Sequence, residues 1–273
     1  MQTEQVKAMA NTVRRDILGM ICRAGSGHPG GSLSTAELLT VLYFEVMNVR
    51  PEDPDWPDRD RFIISKGHGV PTLYSVLARK GFYPLDWMDC LRRLGSPLQG
   101  HPHADRVPGL DCSSGSLGQG LSVANGLALG LRRHGSQARV YCLMGDGELQ
   151  EGQIWEAAMS AAQFKLSNVC GIVDWNHVQL DGTTEEIMDV GDLTKKWADF
   201  GWNVIECDGH DPDDVLRAFT AAKACTDKPS VILAHTVKGK GVSFMENKAA
   251  WHGAAPNEEQ FAAAMAELDA KEA

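Results

Sequence analysis

The chain has 273 residues, 43% hydrophobic and 23% charged, which is enough to bury one sizeable core without a second. Lys and Arg number 26 against 36 Asp and Glu, a formal net charge of −10, and no basic block is interleaved with aromatics, so nucleic acid is disfavoured as a partner. The N-terminus is too polar for a secretory segment and no apolar run approaches the roughly 18 residues of a membrane span, so a cytoplasmic protein with no membrane contact is expected, folded as a single domain over residues 1–273.

In chain order, Val6, Met9, Val13, Ile17 and Met20 have helical spacing, and that helix stops at the glycine-rich AGSGHPGGS. A second helix is expected over STAELLTVLYFEVM, where Ser34 and Glu37 have the spacing of a capping box. VRPEDPDWPDRD then reads as an exposed connection, and Gly115, Gly118 and Gly120 open a small-residue helix in SSGSLGQGLSVANGLALGL. From Arg139 onward strands and helices alternate: RVYCLMG, QIWEAAMSAAQF, NVCGIVDW, LTKKWADFG, WNVIEC, PDDVLRAFTAAKA and SVILAHTV. That order predicts an α/β fold, a parallel sheet flanked by helices on both faces. The Ala-rich last helix, NEEQFAAAMAELDAKEA, is expected to fray at its end. Seven cysteines without a CxxC, three of them (Cys142, Cys170, Cys207) in apolar runs, read as reduced core residues.

Ligands of such sheets collect beyond the carboxyl ends of the strands, and GDGE, DWNH, CDGHD and KGKG all fall there. An isolated GDG is more often a simple turn than a site. Here the neighbouring strand ends in Asn176, and an aspartate, an asparagine oxygen and a free carbonyl are hard ligands suited to Mg2+ or Ca2+, with positions left for phosphate oxygens. Asp146 and Asn176 therefore suggest a metal-diphosphate site. His28, His68, His101 and His252 lie in Gly- or Pro-flanked loops outside any evident core, and four together suggest function where one would not. Zinc is a poor competitor, since only His101 and His103 are close in sequence. GSGHPG satisfies GxGxxG but follows a helix, so a dinucleotide site is not indicated, and KGKG lacks Walker spacing and reads as a flexible basic loop near an anion.

Nine motifs, GHPGGSLS, SKGHG, QGHP, GSLGQGLS, GDGELQEG, DWNHVQLDG, DGHD, TVKGKG and WHGAAP, occur in an order that resembles the N-terminal, diphosphate-binding part of transketolase, from about Thr12 to Pro256. The resemblance implies the thiamine diphosphate-binding fold and thiamine diphosphate held through Mg2+ or Ca2+, with Asp146, Asn176 and the Val178 carbonyl on the metal. It also implies that His68 and His252 lie near the diphosphate and the reacting centre, and that His28 and His101 contact substrate hydroxyls. Gly115, Ser116 and Leu117 would line the cofactor, Gly147 would approach the diphosphate through its backbone, and Glu151 would communicate with a partner subunit's carboxylates. The implied chemistry is transfer of a two-carbon ketol unit between sugar phosphates.

Departures from the family pattern bear on substrate choice: His103 stands where an acid commonly follows GHP, and Trp175 and His177 flank Asn176. In the family, the glutamate that activates the aminopyrimidine and the arginines that grip the sugar phosphate come from a second domain, whose motifs do not occur in these 273 residues. The expectation is therefore a split enzyme, completed by a C-terminal transketolase subunit carrying the pyrimidine-binding domain, in a heterotetramer. The alternatives are another thiamine diphosphate enzyme, deoxyxylulose-phosphate synthase-like or 2-oxo acid dehydrogenase alpha-type, and a noncatalytic diphosphate-binding module.

Overall fold

The computed structural model describes residues 1–270. Helix α1 (Thr3–Ala24) buries Val6, Val13, Ile17 and Met20, the apolar stripe expected from their spacing, and ends where Gly25 turns left-handed at φ 60°. Two short helices follow, α2 (Pro29–Leu33) and α3 (Ala36–Val41), the latter continued by a wider turn over Leu42–Val46. The capping box expected from Ser34 and Glu37 does not form. Thr35 precedes α3 without a side-chain cap, Ser34 Oγ donates to Asp174 at 2.7 Å, and Glu37 meets Arg14 at 2.6 Å and His210 at 3.0 Å. Hydrogen bonds to buried charged groups outweigh a local cap of about 1 kcal/mol.

The sheet has five parallel strands: β1 (Arg61–Ile64), β2 (Val140–Gly145), β3 (Val169–Trp175), β4 (Asn203–Asp208) and β5 (Ser230–His235), in the order β1-β2-β3-β5-β4. Four are the strands expected after Arg139. The edge strand β1 is additional, and at four residues it is too short to carry a periodicity.

Helices α4 (Val70–Lys80), α5 (Gln119–Arg133), α6 (Gly152–Gln163), α7 (Thr184–Met188), α8 (Leu193–Asp199), α9 (Pro212–Ala224) and α10 (Glu258–Ala270) complete the chain. The expected fraying of the last helix concerns residues 271–273, which lie outside those described. Strand side chains alternate between two cores. Tyr141, Leu143, Cys170 and Ile172 pack with residues of α1, α3, α4 and α9, while Val140, Cys142, Met144 and Val173 pack with residues of α5, α6 and α8. Both faces are therefore covered, and the polar loops are left to gather at the strands' carboxyl rim. Cys142, Cys170 and Cys207 are free and buried, as expected. Among the described residues no helix is long and apolar enough to cross a membrane.

Candidate active site

The rim loops enclose a cavity of about 410 Å³ whose walls include His28, His68, His101, His252, Asp146, Gly147, Glu151, Asn176 and Val178. Gly115 and Leu117 also line it, whereas Ser116 between them is exposed and lies outside the lining. Residues spread over more than two hundred positions of sequence thus share one space.

The imidazoles crowd together. The His28 ring centroid lies 5.2 Å from that of His68, 5.6 Å from His252 and 6.4 Å from His101, and His68 is 5.0 Å from His252. Burial, reinforced by nearby cations, lowers all of them: His68 to about 2, with Lys66 adding to the burial; His252 to about 3, with Lys238; His28 to about 4, with Arg92; and His101 downward for the same two reasons as His28. At neutral pH these rings are uncharged and each offers one donor and one acceptor, the hydrogen-bonding capacity suited to sugar hydroxyls and phosphate oxygens. Among the described residues no three His, Cys, Asp or Glu side chains converge to share a metal ion.

Asp146 caps the turn after β2. Its Oδ1 accepts the Gly147 N–H at 2.8 Å and its Oδ2 the His177 N–H at 2.5 Å, so the GDG turn and the loop after β3 are tied together. The Gly147 N–H is thereby engaged with Asp146. Burial, and after it the charge of Asp174, pushes the Asp146 carboxyl up to about 6. No cationic side chain among the described residues is bonded to it, and a cation placed beside it would relieve that cost. Asn176 Oδ1 accepts the Val178 N–H at 3.1 Å, and the Val178 carbonyl points to the Lys238 ammonium at 2.6 Å. The three buried residues line one cavity and offer a carboxylate, an amide oxygen and a carbonyl, the hard ligand types of Mg2+ or Ca2+; the carbonyl is held here by the Lys238 ammonium, which a metal would have to share or displace. The buried Gln179 Nε2, which has no hydrogen-bond partner among the described residues, adds a donor on the same wall, of use to an anion.

Four charged residues that the motifs contained but did not single out hold the site together. Asp174, fully buried, accepts from Lys66 at 2.5 Å, Ser34 at 2.7 Å, Asn176 at 2.8 Å and Thr236, collecting the loops after α2, β1, β3 and β5. Glu148 accepts from Ser65, Gly118 N–H at 2.9 Å and Gly145 N–H at 3.0 Å, which fixes the start of α5 against the end of β2. Glu151 lies beside it, its Cβ so near Gly118 that an added methyl there would come within 2.8 Å. Lys66 and Lys238 are both 2% exposed. KGKG is thus not the loose basic loop expected: Lys238 is buried, bonds the Val178 carbonyl and approaches His252 Nδ1 at 2.9 Å, and burial followed by Lys66 lowers it to about 8. Composition marked these lysines as basic, but only the fold shows that they point inward.

Residues 5–272 match the family described as transketolase, thiamine diphosphate binding domain. A 6-deoxy-6-sulfo-D-fructose transketolase subunit of Clostridium sp. (strain MSTE9) is 45% identical, covering 98% of this chain and 98% of that protein. An apulose-4-phosphate transketolase subunit of Phocaeicola vulgatus is 42% identical, covering 98% and 95%. Among solved structures, the transketolases of Leishmania mexicana and Campylobacter jejuni superpose with TM-scores of 0.91 and 0.93 at 33% identity. Those matches cover 97% and 98% of this chain but 41% and 43% of theirs, so the chain spans about two fifths of those transketolases.

Proposed function

The chain belongs to the transketolase N-terminal, thiamine diphosphate-binding family, and from that premise we propose that it is the diphosphate-binding subunit of a split transketolase. The observation that carries this reading is the convergence of four neutral imidazoles with Asp146, Asn176 and the Val178 carbonyl on one cavity. Asp146, Asn176 and Val178 would hold Mg2+ or Ca2+, and His68, His252 and the Gly147 turn would face the diphosphate. Gly115, Ser116 and Leu117 would flank the cofactor, and Glu151 would meet the partner's carboxylates. When bound, thiamine diphosphate supplies the carbon that accepts and releases a two-carbon ketol unit. The protein's part is to orient that carbon and the sugar, to keep bulk water from the buried floor, and, through His28 and His101, to hydrogen-bond the sugar's hydroxyls.

A single domain over residues 1–273 and a partner carrying the pyrimidine-binding domain are part of the same proposal. Its support is that two relatives named as transketolase subunits have nearly the same length as this chain. The simplest symmetric assembly is a heterotetramer. Sugar phosphates are the substrate class. The test is calorimetric titration of the chain plus partner with thiamine diphosphate, with and without Mg2+, followed by an assay of two-carbon transfer between sugar phosphates. Metal-dependent binding with turnover supports the reading, metal-dependent binding without transfer returns the noncatalytic module, and no binding overturns both.

A further inference from the structure

Arg14, Glu37 and His210 lie outside the wall of histidines and oxygens, yet they grip the loop that forms part of it. A single oxygen of Glu37, Oε2, faces Arg14 at 2.6 Å and His210 Nδ1 at 3.0 Å. The other ends of both partners reach the backbone of one loop: Arg14 Nε donates to the Lys240 carbonyl at 2.9 Å, and the Val237 N–H donates to His210 Nε2 at 2.8 Å. Because a backbone N–H can only donate, His210 Nε2 must accept, and the ring proton sits on Nδ1 facing Glu37. The two arms therefore hold the chain immediately before and two residues after Lys238.

The loop cannot easily settle elsewhere. Gly239 is left-handed at φ 76°, and a Cβ there would come within 2.5 Å of the Met245 carbonyl oxygen, while the Gly239 N–H donates to the Gly30 carbonyl at 3.0 Å. Arg14 and Glu37 are 6% and 7% exposed. Apolar residues of equal volume would stabilise a fold as well as such a buried ionic group does, but they could not bond a backbone N–H and a carbonyl.

We propose that Arg14, Glu37 and His210 are a positioning network that sets Lys238 against the Val178 carbonyl and His252, and so tunes cofactor affinity from outside the cavity. This rests on the cavity being the thiamine diphosphate site. Residues one layer behind a ligand set commonly change affinity by about 10 to 100-fold when removed.

The test is thiamine diphosphate affinity with Mg2+, by calorimetry on the full chain with its partner, together with thermal unfolding of each variant. His210→Phe should weaken binding by about 10-fold or more. His210→Gln, whose amide can accept from Val237 and donate to Glu37, should restore most of the loss. In a Lys238→Ala background His210→Phe should cost no further affinity, although it lowers the unfolding temperature as much as before. An equal loss of affinity with or without Lys238 would make the network merely structural and overturn the proposal, as would unchanged affinity in His210→Phe. Should His210→Phe fail to fold, His210→Asn, too short to reach both partners, is read against His210→Gln in the same way. Failure of the unmutated chain to bind thiamine diphosphate would overturn the cofactor reading and this proposal together, an outcome distinct from the others.

Discussion

Asn176 donates its side-chain amide to Asp174 across 2.8 Å, and this bond fixes which way the amide faces, turning its oxygen to the Val178 N–H and the cavity. Asp174 reaches no solvent, and it is the carboxylate paired with the Lys66 ammonium, which is 2% exposed and otherwise donates to the Gly31 carbonyl at 2.6 Å. Asp174→Ala would strand the ammonium, at a cost of about 3–5 kcal/mol in unfolding free energy. Urea unfolding measures it. A loss below about 1 kcal/mol would mean that Lys66 escapes to solvent and that the pair is not what ties these loops together.

Asp146 is the one anionic side chain in the proposed metal set. Asp146→Ala should abolish Mg2+-dependent thiamine diphosphate binding in the assembled enzyme, since the diphosphate charge would remain while the metal's only charged protein ligand is gone. The two N–H groups it now satisfies, on Gly147 and His177, would also lose their acceptor. Calorimetry with unchanged affinity would remove Asp146 from the metal set.

His28 and His101 should separate substrate from cofactor contacts. His28→Ala and His101→Ala are expected to leave thiamine diphosphate affinity near normal and to reduce two-carbon transfer by on the order of 10 to 1,000-fold. Steady-state kinetics at saturating cofactor read this directly. Equal losses of cofactor affinity and turnover would place both rings on the cofactor instead.

Glu37 gives a pH signature away from the metal set. Burial alone would raise its carboxyl, but the Arg14 charge and the hydrogen bonds from His210 and Arg14 outweigh burial and hold it at about 2, against an ordinary 4.5. The folded value is the lower one, so the stabilisation is complete above the unfolded value and is lost as pH falls from about 4.5 toward 2. Glu37→Gln should therefore be clearly less stable than the unmutated chain at pH 7, with the gap closing through the acid range. Thermal unfolding across pH 7 to 4 follows the start of this closure, and a gap that widens on acidification would contradict the assignment.

Much of the architecture was legible in the sequence because it is written in local patterns. Val6 to Met20 repeat at helical spacing, and the strands after Arg139 are short apolar runs broken by polar turns. The Asp146 and Asn176 loops were legible for the same reason, since both sit at strand ends that the alternation predicts. What stayed hidden depends on contacts across large sequence separations. Ser34 and Glu37 have the local spacing of a cap, and only the approach of Asp174, 140 positions from Ser34, and of Arg14 shows where their side chains go. Lys66 and Lys238 look like surface lysines until β1 and β5 bring them under the same rim, and β1 itself is a strand because β2 and the Asp111 carboxylate, which accepts the Phe62 N–H, supply its partners.

A second chain is expected to lie over the cavity mouth. Leu180 and Asp181 line the cavity, and Leu180, Ile187 and Met188 along the same stretch are 59%, 46% and 61% exposed. Apolar surface of this extent beside a site is what a partner would cover. The family's ketol transfer also needs a glutamate at the aminopyrimidine. Of the glutamates that line the cavity among the described residues, Glu148 is committed to Ser65, Gly118 and Gly145, and Glu151 packs beside Gly118 and is assigned above to the partner's carboxylates. The purified 273-residue chain is therefore expected to be essentially inactive in two-carbon transfer at saturating thiamine diphosphate and Mg2+, and to gain activity on mixing with its partner. Sedimentation should show the same mixture moving as one species with equal copies of each chain. Full turnover by the chain alone would overturn the split-enzyme reading, because the activating carboxylate would then have to come from this chain or a second copy of it. Silence even with a partner that binds stoichiometrically would instead mark the cavity as a diphosphate-binding module without ketol transfer.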